Sequence, residues 1–362
     1  MPAGRTGSRG GRFVERGGCD ELQSYDNRNV MLKIERLSKH YAIGGGWRKS
    51  RRKVLRAVDG VDLTVYEGET LGIVGESGCG KSTLGHMIMH LTEPTEGRIE
   101  FDGVDLSTLS KEQLRRKRKH IQMIFQDPFS SLNPRMKVFD LIAEPLRTHP
   151  DENGKSLADQ VHAILEAVGL PPEYADRYPH QFSGGQRQRI GIGRALAVKP
   201  KLIVCDEPVS ALDVSIQAQI LNLLSVLQKR YGLTYVFIAH GLPAVAYMSD
   251  RIAVMYMGRV VEIADKERLL RHPLHPYTEG LIASIPVSSP ERRGEGRNAL
   301  TGETPNPLDP PAGCPFHTRC PYAQHRCRSE TPVLKTVAGG PDRQVACHYP
   351  LEEASKGVAT IG

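Results

Sequence analysis

Short apolar, β-branched runs alternate with runs of helical period along most of this chain. Strand-sized stretches fall at Val58–Val65, Thr70–Val74, Arg98–Phe101, Ile121–Phe125, Leu202–Cys205, Thr234–Ala239 and Ile252–Met255, bounded by turn residues as strands are. Apolar positions at helical spacing occupy Leu157–Val168 and Gln186–Val198. Ile216, Ile220, Leu223, Leu224 and Leu227 form a helical stripe that starts near Ser215 and ends at Gly232, which we assign to core packing. Strands interleaved with helices predict an α/β domain around a mainly parallel sheet. Between about Met136 and Pro200 the strand signals vanish, which predicts a helical insertion. The resulting division is a tail over 1–30, a core over 31–135 and 200–270, a helical subdomain over 136–199 and a loop-rich extension over 271–362.

Composition narrows the class. The 362 residues are 39% hydrophobic, enough for a sizeable core and too much for a disordered chain. The formal charge of +7 suits a nucleotide, a nucleic acid or an anionic membrane face equally. No run approaches the roughly 18–20 apolar residues of a spanning helix. The Gly- and Arg-rich stretch Met1–Asn29 has no apolar segment of a secretory signal, and Met31 is a candidate alternative start. Seven cysteines are then expected in a reducing compartment on the cytosolic side.

The chemistry begins after the run at Thr70–Val74. Gly75-Glu76-Ser77-Gly78-Cys79-Gly80-Lys81-Ser82-Thr83 has the spacing G-x-x-x-x-G-K-S-T, and an apolar-periodic helix (Leu84, Met87, Ile88, Leu91) follows. That context identifies a Walker A loop, whose backbone N–H groups and helix N-terminus cradle phosphates. Lys81 is expected on the β and γ phosphates of a nucleoside triphosphate and Ser82 on Mg²⁺. A bare glycine-rich turn is the competing reading. Cys79, near a helix N-terminus, would tend toward a lowered thiol pKa; we read it as filler at a tolerant position, where alkylation should nonetheless block nucleotide binding.

A second acidic cluster closes the run Leu202–Cys205. Asp206 and Glu207 sit where strand alternation would send two side chains apart, so Asp206 fits the holder of Mg²⁺ and Glu207 the group that polarises the attacking water. Phe182-Ser183-Gly184-Gly185-Gln186 carries the S-x-x-Q spacing of a capping box. Two glycines in a first turn weaken a helix, which an anion approaching bare N–H groups would explain.

Together these residues resemble the ATPase subunit of an ABC transporter: Walker A, Gln126 in Ile124-Phe125-Gln126-Asp127-Pro128, the Phe-Ser-Gly-Gly-Gln signature, Glu207, Ser210-Ala211-Leu212-Asp213 and His240, all in order. The resemblance, over roughly Met31 to Ala264, implies a P-loop NTPase core of RecA-like and antiparallel β parts. It implies that Tyr41 stacks on adenine just after the first strand, that Gln126 senses Mg²⁺ and the membrane partner, that Asp213 lies at a dimer seam and that His240 meets the γ phosphate. Gly241 stands where the family usually has Asp. In this family the signature, Ser183 to Gln186, completes the phosphate site of a second subunit.

The wording Phe-Gln-Asp-Pro-Phe-Ser-Ser-Leu-Asn-Pro-Arg, with His275-Pro276-Tyr277-Thr278 and Gly313-Cys314-Pro315, is similar to dipeptide, oligopeptide and nickel importers, and to the second of their two unlike ATPases. It implies a heterodimer with another ABC ATPase, two transmembrane permease subunits, an extracytoplasmic solute-binding protein and a peripheral place on the cytoplasmic face. The Gln126–Val138 stretch would open the docking surface for the permeases.

Cys314, Cys320, Cys327 and Cys347 supply four thiols in the extension. They suit a [4Fe-4S] cluster, a Zn²⁺ ion or unmetallated thiols and disulfides. Gaps wider than C-x2-C and the likeness to peptide-importer tails favour the cluster; His317, His325 and His348 are weaker ligand candidates. The basic runs Arg48–Lys53 and Arg115–Lys119 lack aromatic partners, so no nucleic acid is expected. A soluble ABC ATPase acting on nucleic acid or the ribosome, and a nucleotide-binding regulator without turnover, are the rival classes.

Overall fold

The structure, a computed structural model, describes residues 28–44, 53–127, 131–150, 155–285, 300, 302–338, 340 and 342–352. Most of the Met1–Asn29 tail, the basic run up to Arg52 and Pro128 to Ser130 of the docking stretch lie outside the described residues.

Two sheets build the core. The first is antiparallel, in the order β2–β1–β4–β5, from β1 (Val30–Ile43), β2 (Lys53–Tyr66), β4 (Glu96–Phe101) and β5 (Val104–Asp105). The second has the order β11–β12–β10–β9–β3–β8–β7–β6. Its centre comprises β3 (Thr70–Val74), β6 (Ile121–Ile124), β7 (Leu202–Asp206), β8 (Thr234–Ile238) and β9 (Arg251–Tyr256), parallel throughout. Residues of β3 and all of β7 and β8 are buried, as both-faces-covered parallel strands must be. β10 (Arg259–Asp265), β11 (Lys335–Thr336) and β12 (Gln344–Val345) extend the sheet antiparallel.

The seven expected strands all appear within two residues, except that β2 starts five residues earlier. β1 and β10 add to these seven; charged residues such as Lys33, Glu35 and Glu262 interrupt their apolar pattern. Tyr41 lies inside β1, opposite Leu55, and not beyond it as expected; β1 continues past its apolar part because β2 pairs with it as far as Lys53. Helices Val138–Thr148, Leu157–Ala167 and Gly184–Leu196 occupy the segment where strand signals vanish. The stripe helix runs Val214–Tyr231 and is capped by Gly232; Ile220, Leu224 and Leu227 are buried, while Ile216 and Leu223 are partly buried against the same cluster.

The loop-rich extension does not stand apart. β12 pairs with β10, and Glu262, fully buried, accepts bonds from the Leu274 and His275 N–H groups at 2.8 and 2.9 Å. Arg251, itself buried, joins Glu69 at 3.1 Å and Asp342 at 3.2 Å. Tyr277 and Phe316 pack with Tyr256 of β9, ring centroids 4.6 to 5.4 Å apart.

Candidate nucleotide site

Because β3, β8, β7 and β6 are parallel neighbours, their carboxyl ends share one edge of the sheet. Val74, Ile238, Asp206 and Ile124 are the last residues of the four strands, so the chain leaves each of them beside the others, where open α/β sheets bind ligands. Glu76–Ser82, His240, Glu207 and Gln126 follow those ends and line one cavity of about 930 Å³, together with Tyr41 and Thr83.

The phosphate loop is set by its own geometry. Gly80 adopts φ 104°, and a Cβ there would stand 2.1 Å from the Ala57 carbonyl oxygen, so only glycine fits this turn. Lys81 is buried; its Nζ donates to the Gly75 and Glu76 carbonyls at 2.7 and 3.0 Å. The helix Lys81–Ile88 starts here with no side-chain cap, leaving its first N–H groups for an anion. Cys79 departs from expectation. It is buried, and burial pushes its thiol up despite the nearby Lys81 charge. Its sulfur packs beneath Gly75, so neither a lowered pKa nor ready alkylation follows.

Across the cavity, Ser82 Oγ donates to Asp206 Oδ1 at 2.9 Å. Burial raises the Asp206 pKa, opposed by the Ser82 bond, the state of a carboxylate that a cation would relieve. Gln126 Nε2 donates to Glu207 Oε2 at 2.9 Å. The expected divergence of the two acids has a different cause from the expected one. β7 ends at Asp206, and Glu207 takes φ 47° directly before Pro208. Such a residue costs about 1–3 kcal/mol and is retained where function needs its direction. These hydroxyl, carboxylate and amide oxygens are the hard donors that Mg²⁺ takes. Three or more His, Cys, Asp or Glu able to hold an ion are not grouped anywhere among the described residues.

The signature is elsewhere. Ser183 caps the helix Gly184–Leu196, its Oγ accepting from Gln186 N–H at 3.3 Å while Gln186 Oε1 accepts from Ser183 N–H at 3.0 Å. None of Ser183 to Gln186 lines the nucleotide cavity, nor does Asp213, which caps the stripe helix without a side-chain bond. Gly185 has a packing reason besides anion approach: a Cβ would lie 2.5 Å from Ile216 Cγ2. Gly241 occupies the N-cap of helix Leu242–Met248 and supplies no side-chain acceptor, where an Asp would bond the first turn.

Strand order, loop and strand-end carboxylates define a P-loop nucleoside triphosphatase. The ABC transporter family's sequence pattern matches residues 58–210, and that of the oligopeptide/dipeptide transporter C-terminal region matches residues 261–327. The oligopeptide transport ATP-binding protein AppF of Bacillus subtilis is 50% identical, over 89% of this chain and 98% of that protein. OppF of Salmonella typhimurium, of the same description, is 51% identical, over 86% of this chain and 94% of its own length. The solved dimeric ATP-binding cassette MJ0796 superposes with a TM-score of 0.58 at 30% identity, covering 65% of this chain and 99% of that one. This chain belongs to the ATP-hydrolysing, ATP-binding subunits of ABC transporters, in their oligopeptide/dipeptide branch. Among the described residues no helix is long and apolar enough to cross a membrane.

The four cysteines of the extension do converge. Cys314, Cys320, Cys327 and Cys347 line one small cavity with His275, His317 and His348, and none of them forms a disulfide. Burial pushes the Cys314 thiol up to about 11 and the Cys347 thiol up to about 12, the neighbouring sulfurs adding to both. Thiols held protonated in this way bind a cation only when it displaces their protons. The arrangement does not complete the expected centre. The cavity holds about 10 Å³, the space of one water, and no three of these side chains are placed to hold one ion.

Proposed function

We propose that this chain is the motor subunit of a peptide importer, peripheral to the cytoplasmic face of the membrane. It would work beside a second, unlike ABC ATPase and two permease subunits, with cargo delivered by an extracytoplasmic binding protein. The observation that carries the reading is the likeness to oligopeptide transport ATP-binding proteins at about half identity through both the cassette and the C-terminal region.

The chemistry follows from the site. Loop N–H groups and Lys81 bind the triphosphate, and Tyr41 stacks on its base. Ser82 and Gln126, with Asp206 behind them, would hold Mg²⁺, which neutralises charge building on the phosphates. Glu207 takes a proton from the attacking water as the bond between the γ phosphorus and the leaving oxygen of ADP breaks; His240 steadies the γ phosphate. The cavity lacks the signature, so a partner's Ser183-type helix start would cover the phosphates, and hydrolysis would release it.

A groove of about 310 Å³ supports permease docking. It lies between the parallel sheet and the helices Val138–Thr148 and Gly184–Leu196, with Leu91 and Phe125 exposed on it. The Gln188 side chain, only 2% exposed, lines it with an Nε2 that has no partner. In the assembled transporter, ATPase activity should rise several-fold, by about 1 kcal/mol of barrier or more, when peptide-loaded binding protein is added. Stimulation by nickel-loaded binding protein in place of peptide would give the alternative cargo.

The four cysteines would have to rearrange to hold a metal centre, [4Fe-4S] first and Zn²⁺ second, because the cavity they border has the space of one water. Anaerobically purified protein should then contain iron and sulfide in equal amounts with visible thiolate-to-iron absorbance. Zinc without iron, or neither metal, would overturn the cluster.

A further inference from the structure

Glu76 is the second residue of the phosphate loop. Its carboxylate lies in a loop built to receive a triphosphate, and like charges repel. The extension answers this. Arg319, its side chain only 6% exposed, donates to both Glu76 oxygens, Nη1 to Oε2 at 2.8 Å and Nη2 to Oε1 at 2.9 Å. Thr304 Oγ1 donates to the same Oε2 at 2.8 Å, and the Tyr277 hydroxyl accepts the Glu76 N–H at 2.9 Å. The Glu76 carbonyl accepts from Lys81. Backbone and side chain of this one loop residue are thus tied by three residues that lie beyond position 271.

Burial alone would raise the Glu76 pKa, yet the bonds from Arg319 and Thr304 hold it below the usual carboxylate range. The carboxylate is therefore charged, and the guanidinium beside it cancels that charge in a bidentate pair, the strong form of such contacts. Arg319 is in turn fixed from behind. Its N–H donates to Phe316 O at 3.0 Å, Cys314 N–H donates to Cys327 O at 2.8 Å, and the Phe316 and Tyr256 rings flank the guanidinium at 5.9 Å.

We propose that Arg319 is a positioning residue for ATP: it neutralises and clamps Glu76, so that the phosphate loop presents its N–H groups and Lys81 to the triphosphate without a competing negative charge. The extension is on this view a working part of the nucleotide site. The proposal deepens the ATP-binding reading and rests on it.

The test uses the full-length chain and MgATP titrations by calorimetry. R319Q should bind MgATP about tenfold more weakly, the equivalent of about 1.4 kcal/mol, and in the assembled transporter should raise the KM for ATP with little change in kcat. R319K, which retains the charge and loses the fork, should fall between R319Q and the unsubstituted chain. The decisive arm is E76Q/R319Q, which removes the uncompensated carboxylate and should recover most of the affinity lost in R319Q. A purely structural Arg319 would lower the melting temperature of R319Q, leave affinity of the folded protein unchanged and show no recovery in the double variant; either of the last two results overturns the proposal. Should R319Q not fold, R319K decides, and affinity equal to the unsubstituted chain counts against the clamp. Failure of the unsubstituted chain to bind MgATP would instead sink the ATP-binding reading itself.

Discussion

Glu207→Gln should lower ATP turnover by about 10²- to 10⁴-fold, the range a positioned general base supplies, while MgATP still binds. Glutamine preserves the shape of Glu207 and can still meet Gln126, which now donates to Oε2 at 2.9 Å. It also faces the same left-handed backbone, φ 47°, so folding stability should change little. What it cannot do is accept the proton of the attacking water. Bound ATP then persists, and with it the closed state of the ATPase pair proposed above. Single-turnover phosphate release, together with size-exclusion chromatography of the ATPase pair in ATP and in ADP, checks both halves. Turnover at the unsubstituted rate would remove Glu207 from the chemistry.

Lys81→Ala should act one step earlier, on binding. Its ammonium is buried and donates to two carbonyls of its own loop, at 2.7 and 3.0 Å, which holds the charge where β and γ phosphates arrive. Hydrogen bonds to charged groups contribute about 1.5–3 kcal/mol each, so losing two should weaken MgATP by about 10²- to 10⁴-fold. The Gly75 and Glu76 carbonyls would also lose their donor, lowering the melting temperature of the nucleotide-free protein by a few degrees. Calorimetric titration separates the two effects, because stability can fall modestly while affinity collapses. Retained affinity would show that the loop N–H groups alone hold the triphosphate. The two variants then differ in kind: Glu207→Gln binds and stalls, Lys81→Ala does not bind.

Local signals carried much of the nucleotide site. The loop from Gly75 to Thr83, its flanking strand and helix, the capping box at Ser183 and Gln186, and the buried runs ending at Asp206 and Ala239 all lie within a few residues of their own cause. Spacing, turn chemistry and periodicity describe such elements well. The fault lay in environment. The place of Cys79 before a helix pointed to a lowered thiol pKa, but what surrounds it is core, and burial outweighs the dipole. Asp206 and Glu207 were expected to diverge by strand alternation, but the strand stops between them and the backbone turns left-handed.

The four thiols show the same limit. Their number and spacing announce a shared site, and all four do border one cavity, yet spacing along a chain says nothing of how far apart four sulfurs are held.

The amino-acid order by itself determined the central strands, four of the helices, the phosphate-loop motif and the absence of a spanning apolar run, because each depends on neighbours within one turn or one strand. Tertiary structure alone decided that Ser82 meets Asp206 across 124 positions, that Ile216 crowds any side chain at Gly185 and that Arg319 reaches back 243 positions to Glu76. Those contacts follow from how the sheet stacks its strand ends and how the extension packs on β9. Such long-range pairings leave no local pattern, since the chain between the partners can be almost anything that folds.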